Sequence, residues 1–120
     1  MTTGFIVFAH GSRVESANDA VRAVAADLAR AGGFAHVEAA FLELGRPDLE
    51  GAAYALVQAG VERIVVLPYF LTLGLHKERD LPRLIQHISN KYSNLQVIVT
   101  PPLDGHPGLV NVLLDRARNS

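Results

Sequence analysis

The chain has no cysteine and no tryptophan. Without cysteine there is no disulfide scaffold, thiolate nucleophile, iron–sulfur cluster or Cys-ligated zinc site. Aromatic residues make up only 7% of the chain, which argues against a platform for stacking bases. An excess of charge of one sign is also missing, since 11 Lys+Arg offset 12 Asp+Glu for a formal net charge of -1. That removes the bulk attraction on which nucleic-acid binding rests. No apolar run approaches the ~20 residues of a membrane helix. The N-terminal MTTGFIVFAHGSR lacks the basic segment and long apolar segment of a signal peptide. A cytoplasmic protein is expected, with neither nucleic acid nor membrane as partner.

What is present fits one globular unit. The 120 residues, 49% hydrophobic and 19% charged, match the size and composition of a single domain covering 1–120. Periodicity alternates along it. Gly4 to Ala9 is a short apolar run, as in a strand buried on both faces. Ala17, Val21, Val24, Leu28 and Ala31 then mark a helical stripe from Ser16 to Ala31, with Ser16 and Asp19 resembling a capping box and Gly32-Gly33 a stop. The pattern recurs: a strand over His36 to Phe41, a helix from Pro47/Asp48 to about Gly60, and a strand over Arg63 to Pro68. A helix over Glu78 to Tyr92 follows, where Pro82 is tolerable near the first turn. A strand over Gln96 to Thr100 and a helix from Pro107 to about Arg118 complete the chain.

Four βα units of ~30 residues predict a three-layer α/β fold: a four-stranded parallel sheet, flavodoxin-like, helices on both faces, strand order 2-1-3-4. Ligands of such sheets bind beyond the carboxyl ends of the strands. Those ends carry His10-Gly11-Ser12-Arg13, Glu43 to Pro47, the segment through Gly74, His76, Lys77, Arg79 and Asp80, and Pro101 to Pro107 with His106. Imidazole with carboxylate suits divalent Fe, Co, Ni or Zn and also accepts protons near neutral pH. Arg13, Arg46, Lys77 and Arg79 gather cations at the same edge, as a polycarboxylate ligand would require.

Each residue also has a plainer reading. A histidine at a strand end is often only hydrogen-bonded structure, and His36 and His87, before a strand and on a helix, read as structural. Gly11 and Gly74 fit ordinary turns, and Arg46 and Arg79 fit solvated helix ends. From the residues alone the result is a metal or acid/base site with a basic rim.

The ordered set His10-Gly11-Ser12-Arg13, Ala40-Phe41-Leu42-Glu43 and Ile64 to Leu71 followed by Gly74 and His76 resembles the small sirohydrochlorin chelatases, the CbiX/SirB-like class II chelatases. The likeness continues through Asp80-Leu81-Pro82, Pro101-Pro102-Leu103 and His106-Pro107, and departs from the family pattern at Leu103-Asp104-Gly105. The resemblance implies insertion of Co2+, Fe2+ or Ni2+ into sirohydrochlorin, an eight-carboxylate tetrapyrrole, in cobalamin, siroheme or related biosynthesis. It places the metal on His10 and His76, assigns Glu43 as their acidic partner, and treats the metal as a substrate with no permanent cofactor. Arg13, Arg46, Lys77 and Arg79 become candidates for the substrate's carboxylates. Longer chelatases fuse two such halves, so a homodimer is implied here. Competing expectations are a non-catalytic metal or tetrapyrrole carrier, and a phosphate-ester enzyme using His10 beside Arg13. Ala9 preceding His10 weakens the last.

Overall fold

The structure, a computed structural model, describes residues 1–72 and 74–120; residue 73 and the side chains of residues 75–78 lie outside the described residues. Four strands, β1 (Thr3–Ala9), β2 (Val37–Phe41), β3 (Arg63–Pro68) and β4 (Gln96–Val99), alternate with α1 (Glu15–Gly32), α2 (Leu49–Gln58), α3 (Leu75–Lys91) and α4 (Gly108–Arg118). The sheet is parallel throughout, in the order β2-β1-β3-β4. This is the predicted topology. No helix among the described residues is long and apolar enough to cross a membrane.

The period-two alternation of β1 divides the core between the faces of the sheet. Ile6 and Phe8 join Ala40, Ile64 and Val66 under α2 and α3, through Leu49, Ala52, Ala53, Leu56 and Ile88. Val7 and Ala9 join Ala39 and Phe41 under α1, through Val21 and Ala25. A central strand flanked on both sides is buried on both faces, which is why β1 reads as unbroken apolar sequence. The stripe predicted for α1 holds in its middle, while Ala17 and Ala31 at its ends are exposed.

The helix starts at α1 and α3 differ in detail from expectation, while α2 opens at Pro47/Asp48 as expected. No Ser16–Asp19 capping box forms: α1 begins at Glu15 with Val14 at the N-cap and no side-chain cap. Ser12 instead accepts the Val14 N–H at 3.0 Å, and Asp19 accepts from Arg22 at 2.7 Å. At α2 the cap is Asp48, whose carboxylate accepts the Gly51 N–H at 2.8 Å. Helix α3 starts at Leu75, ahead of the expected Glu78, so Pro82 lies inside the helix. The residues after Gly74 are helix-compatible, and that glycine is the first breaker upstream.

Candidate functional site

Parallel pairing of Ala9 with Phe41 brings the chain leaving β1 beside the chain leaving β2. Two further backbone bonds extend that pairing past the strands: Leu42 N–H donates to the Ala9 carbonyl at 2.9 Å and Glu43 N–H to the His10 carbonyl at 3.1 Å. The side chains of His10 and Glu43 therefore leave the same edge together, with Nδ1 and Oε1 3.9 Å apart and each side chain about half exposed. That gap is longer than a hydrogen bond. It matches two donors that share one ion, because ligands each about 2.1 Å from a metal stand about 3–4 Å apart.

The approach of the two loops depends on Gly11. Its φ is +95°, and a Cβ there would lie 1.6 Å from the Glu43 carbonyl oxygen. Read in the sequence as an ordinary turn glycine, it is required by both conformation and space. Gly45 is similarly crowded, a Cβ there falling 2.8 Å from the Phe41 ring.

Between the loops lies a residue the sequence reading passed over. Asn18, 1% exposed, accepts the Ser12 N–H at 2.9 Å. Its amide donates to the carbonyls of Ser12 at 2.8 Å and Leu44 at 3.0 Å. Leu44 itself holds a left-handed φ of 57°, uncommon for a side chain of its size. One buried amide thus ties the loop bearing His10 to the loop bearing Glu43. The signal was available: Asn18 stands three residues before Val21 on the apolar face of α1, where a polar side chain needs a partner.

Arg22 reinforces the same junction. It stacks 5.1 Å from the Phe41 ring centroid, bonds Glu15 and Asp19 at 2.7 Å and donates to the Arg46 carbonyl at 2.8 Å. The hydrogen bond from Arg22, helped by Asn18, holds the Glu15 carboxyl below its ordinary pKa.

Of the predicted rim, Arg13, Arg46 and Arg79 are exposed. Arg46 borders a shallow depression with Gly45, Pro47 and Asp48. The Lys77 and His76 side chains lie outside the described residues, although position 76 falls in the first turn of α3 and not in the expected loop. A cleft of about 400 Å³ opens beside Glu43, lined also by Leu42, Asp80, Arg83 and Leu84. Arg83 is a cation the sequence reading missed; it follows Arg79 by one helical turn. Among the described residues no group of three or more His, Asp or Glu side chains converges on a metal-sized site.

The remaining histidines have other work. His106 Nδ1 accepts the Gly108 N–H at 2.9 Å, capping the entry to α4. His87 pairs with Glu50 at 3.4 Å, as befits a structural residue, and His36 accepts the Phe5 N–H through its carbonyl.

Comparison with known proteins bears on this edge. A family model described as CbiX matches residues 4–120. A chloroplastic sirohydrochlorin ferrochelatase of Arabidopsis thaliana is 33% identical over 116 residues, covering 97% of this chain and 52% of the plant protein. A sirohydrochlorin cobaltochelatase of Sulfolobus acidocaldarius is 31% identical over 117 residues, covering 98% of this chain and 91% of the archaeal one. The sirohydrochlorin chelatase SirB of Bacillus subtilis subspecies spizizenii, solved in complex with cobalt, superimposes with a TM-score of 0.89 at 25% identity, over 99% of this chain and 51% of SirB. The chain thus spans about half the length of the plant enzyme and of SirB, and nearly all of the archaeal one.

Proposed function

The chain belongs to the CbiX family, and from that premise we propose that it catalyses insertion of a divalent metal ion into sirohydrochlorin. The observation that carries this reading is the 3.9 Å His10–Glu43 pair at the carboxyl edge of the sheet. The relatives named for ferrochelatase and cobaltochelatase activity support iron or cobalt as the ion, and the same donors suit nickel.

Metalation exchanges one M2+ for two pyrrole protons. The site must hold a partly dehydrated ion loosely enough to release it, and must also take up protons. In this reading His10 and His76 present neutral imidazole nitrogens to the metal, and Glu43 balances its charge or accepts a proton. Half exposure of His10 and Glu43 favours exchange over retention, since a deeply buried closed site would be structural. Arg13, Arg46, Lys77 and Arg79, with Arg83 in the cleft beside Glu43, take the tetrapyrrole's carboxylates. A cytoplasmic homodimer completes the reading.

The deciding experiment follows the absorbance of sirohydrochlorin with Co2+ or Fe2+, anaerobically, at substoichiometric protein. Multiple turnovers above the spontaneous rate are expected. Stoichiometric binding without acceleration would replace the enzyme by a carrier.

A further inference from the structure

The loop between β2 and α2 holds a leucine in a conformation that leucine disfavours. Leu44 has a left-handed φ of 57°, and among the described residues it is the only non-glycine at positive φ; Gly11, Gly33, Gly60 and Gly105 take the other such positions. A Cβ makes that region unfavourable, so a turn of this kind ordinarily selects glycine or asparagine. The neighbouring glycine answers a different need. A Cβ at Gly45 would fall 2.8 Å from the Phe41 ring and 3.1 Å from the Asn18 amide nitrogen.

The conformation is fixed from several sides. The Asn18 amide donates to the Leu44 carbonyl at 3.0 Å and Arg22 to the Arg46 carbonyl at 2.8 Å. Glu43 N–H donates to the His10 carbonyl at 3.1 Å, and Phe41 N–H closes the loop on the Pro47 carbonyl at 2.9 Å. Strained residues persist where their surroundings over-determine them, and they gather at functional sites. Burial does not account for leucine here, since Leu44 is 50% exposed. A single exposed leucine is ordinary. An exposed leucine on a strained backbone is not, because asparagine would fit the same turn with less strain and no apolar surface.

The surroundings say what such a side chain could meet. Leu44 follows Glu43 directly and lines a depression of about 510 Å³ with Glu15, Arg22, Gly45 and Arg46. The Glu15 carboxylate is paired with Arg22 at 2.7 Å, while Arg46 is exposed. One short stretch therefore presents a metal-site carboxylate, an apolar side chain and a cation in that order. A tetrapyrrole taking up a metal presents the matching order from centre to margin: metal, conjugated ring, carboxylates. Val14, Tyr69 and Leu71, also exposed, stand on other loops leaving the same edge.

We propose that Leu44 packs against the apolar face of the tetrapyrrole ring and fixes how the ring sits over the His10–Glu43 pair. The inference rests on the chelatase reading above and adds to it a substrate-binding residue retained at the expense of local backbone strain. Asn18 holds the Leu44 carbonyl and so aims that contact as well as joining the two loops.

Three measurements on Leu44→Asn test this: the urea midpoint, Co2+ titration of the protein alone, and sirohydrochlorin titration without metal. Asparagine suits the left-handed turn and removes the apolar contact. The variant should unfold at a midpoint equal to or above that of the wild type and bind Co2+ unchanged. Its sirohydrochlorin affinity should fall by about 10-fold, the order expected for losing the burial of one leucine. Leu44→Met, which restores an apolar side chain together with the strain, should recover most of that affinity. A midpoint that falls while sirohydrochlorin affinity holds overturns the proposal and makes Leu44 structural. An equal loss of Co2+ affinity also overturns it, since Leu44 would then act through Glu43. A wild type that neither binds nor metalates sirohydrochlorin overturns the chelatase reading and this inference together. If the wild type turns over and Leu44→Asn binds sirohydrochlorin equally well, that reading stands and the Leu44 contact alone falls.

Discussion

The two ends of the sheet are completed in different ways. At the β1–β2 side the departing loops are locked by contacts inside the chain: Gly11 against the Glu43 carbonyl, Asn18 bridging Ser12 and Leu44, Arg22 on Phe41. At the β4 side α4 buries none of its residues. The core follows the same division, since among the described residues the buried aliphatic and aromatic side chains other than Ile88 lie between Ile6 and Val66. An edge locked from within the chain keeps His10 and Glu43 at a set spacing, whereas the β4 side leaves its last helix exposed.

Substitutions at the locked end should cost most. Gly11→Ala is expected to lower stability by about 4 kcal/mol, because the new methyl must displace the Glu43 backbone at a positive φ. The urea midpoint reads this directly, and a loss under about 1 kcal/mol would show that the loops are not held by close approach. His10→Ala should leave that midpoint nearly unchanged, since the side chain is half exposed, yet cut metal insertion by about 100-fold or more. The matching His87→Ala, on a salt-bridged helix surface, should retain near-normal turnover; equal losses in both would remove His10 from the site. Asn18→Ala strands a backbone N–H and two carbonyls in a partly buried junction and should cost about 2 kcal/mol. Its turnover should fall as well, and full activity in the folded variant would mean that Asn18 does not set the His10–Glu43 spacing.

The basic rim predicts a softer effect. Arg13→Gln with Arg46→Gln should raise KM for sirohydrochlorin by about 10-fold with little change in kcat, and flatten the salt dependence of binding. An unchanged KM and salt slope would make both side chains mere solvent charges. The smallest effect belongs to the α2–α3 surface, where the Lys91 hydrogen bond holds Glu50 below its ordinary pKa, with His87 assisting. A depressed carboxylate contributes stability that is complete above its unfolded pKa and lost as pH falls through the folded one. Glu50→Gln should therefore flatten the acid limb of a thermal melt and leave neutral pH almost untouched. An unaltered acid limb would show the pair to be inert.

Much of this was legible in the residues. The apolar run Gly4 to Ala9 and the run Arg63 to Pro68 read as strands buried on both faces, and their alternation with helical stripes predicts a parallel sheet with crossovers that places His10 and Glu43 at one edge. Less legible were Asn18 and Arg83. A single polar residue on a helix stripe does not announce which loops it will join, and a cation one turn past Arg79 gains meaning only when Glu43 is folded opposite it. The start of α3 was set late because Pro82 draws the expected boundary toward itself, while the backbone continues back to Gly74.

Sequence alone determined the class of fold, the strand order and the sheet edge to which His10 and Glu43 fall, because period-two and helical repeats are local properties that survive without knowing what they pack against. Only the tertiary structure decided that a Cβ at Gly11 would meet the Glu43 carbonyl, that one buried amide couples the loops bearing His10 and Glu43, and that α4 buries none of its residues. Those depend on the approach of segments distant along the chain, and the separation of 26 positions from Asn18 to Leu44 is spanned by packing that no local pattern encodes.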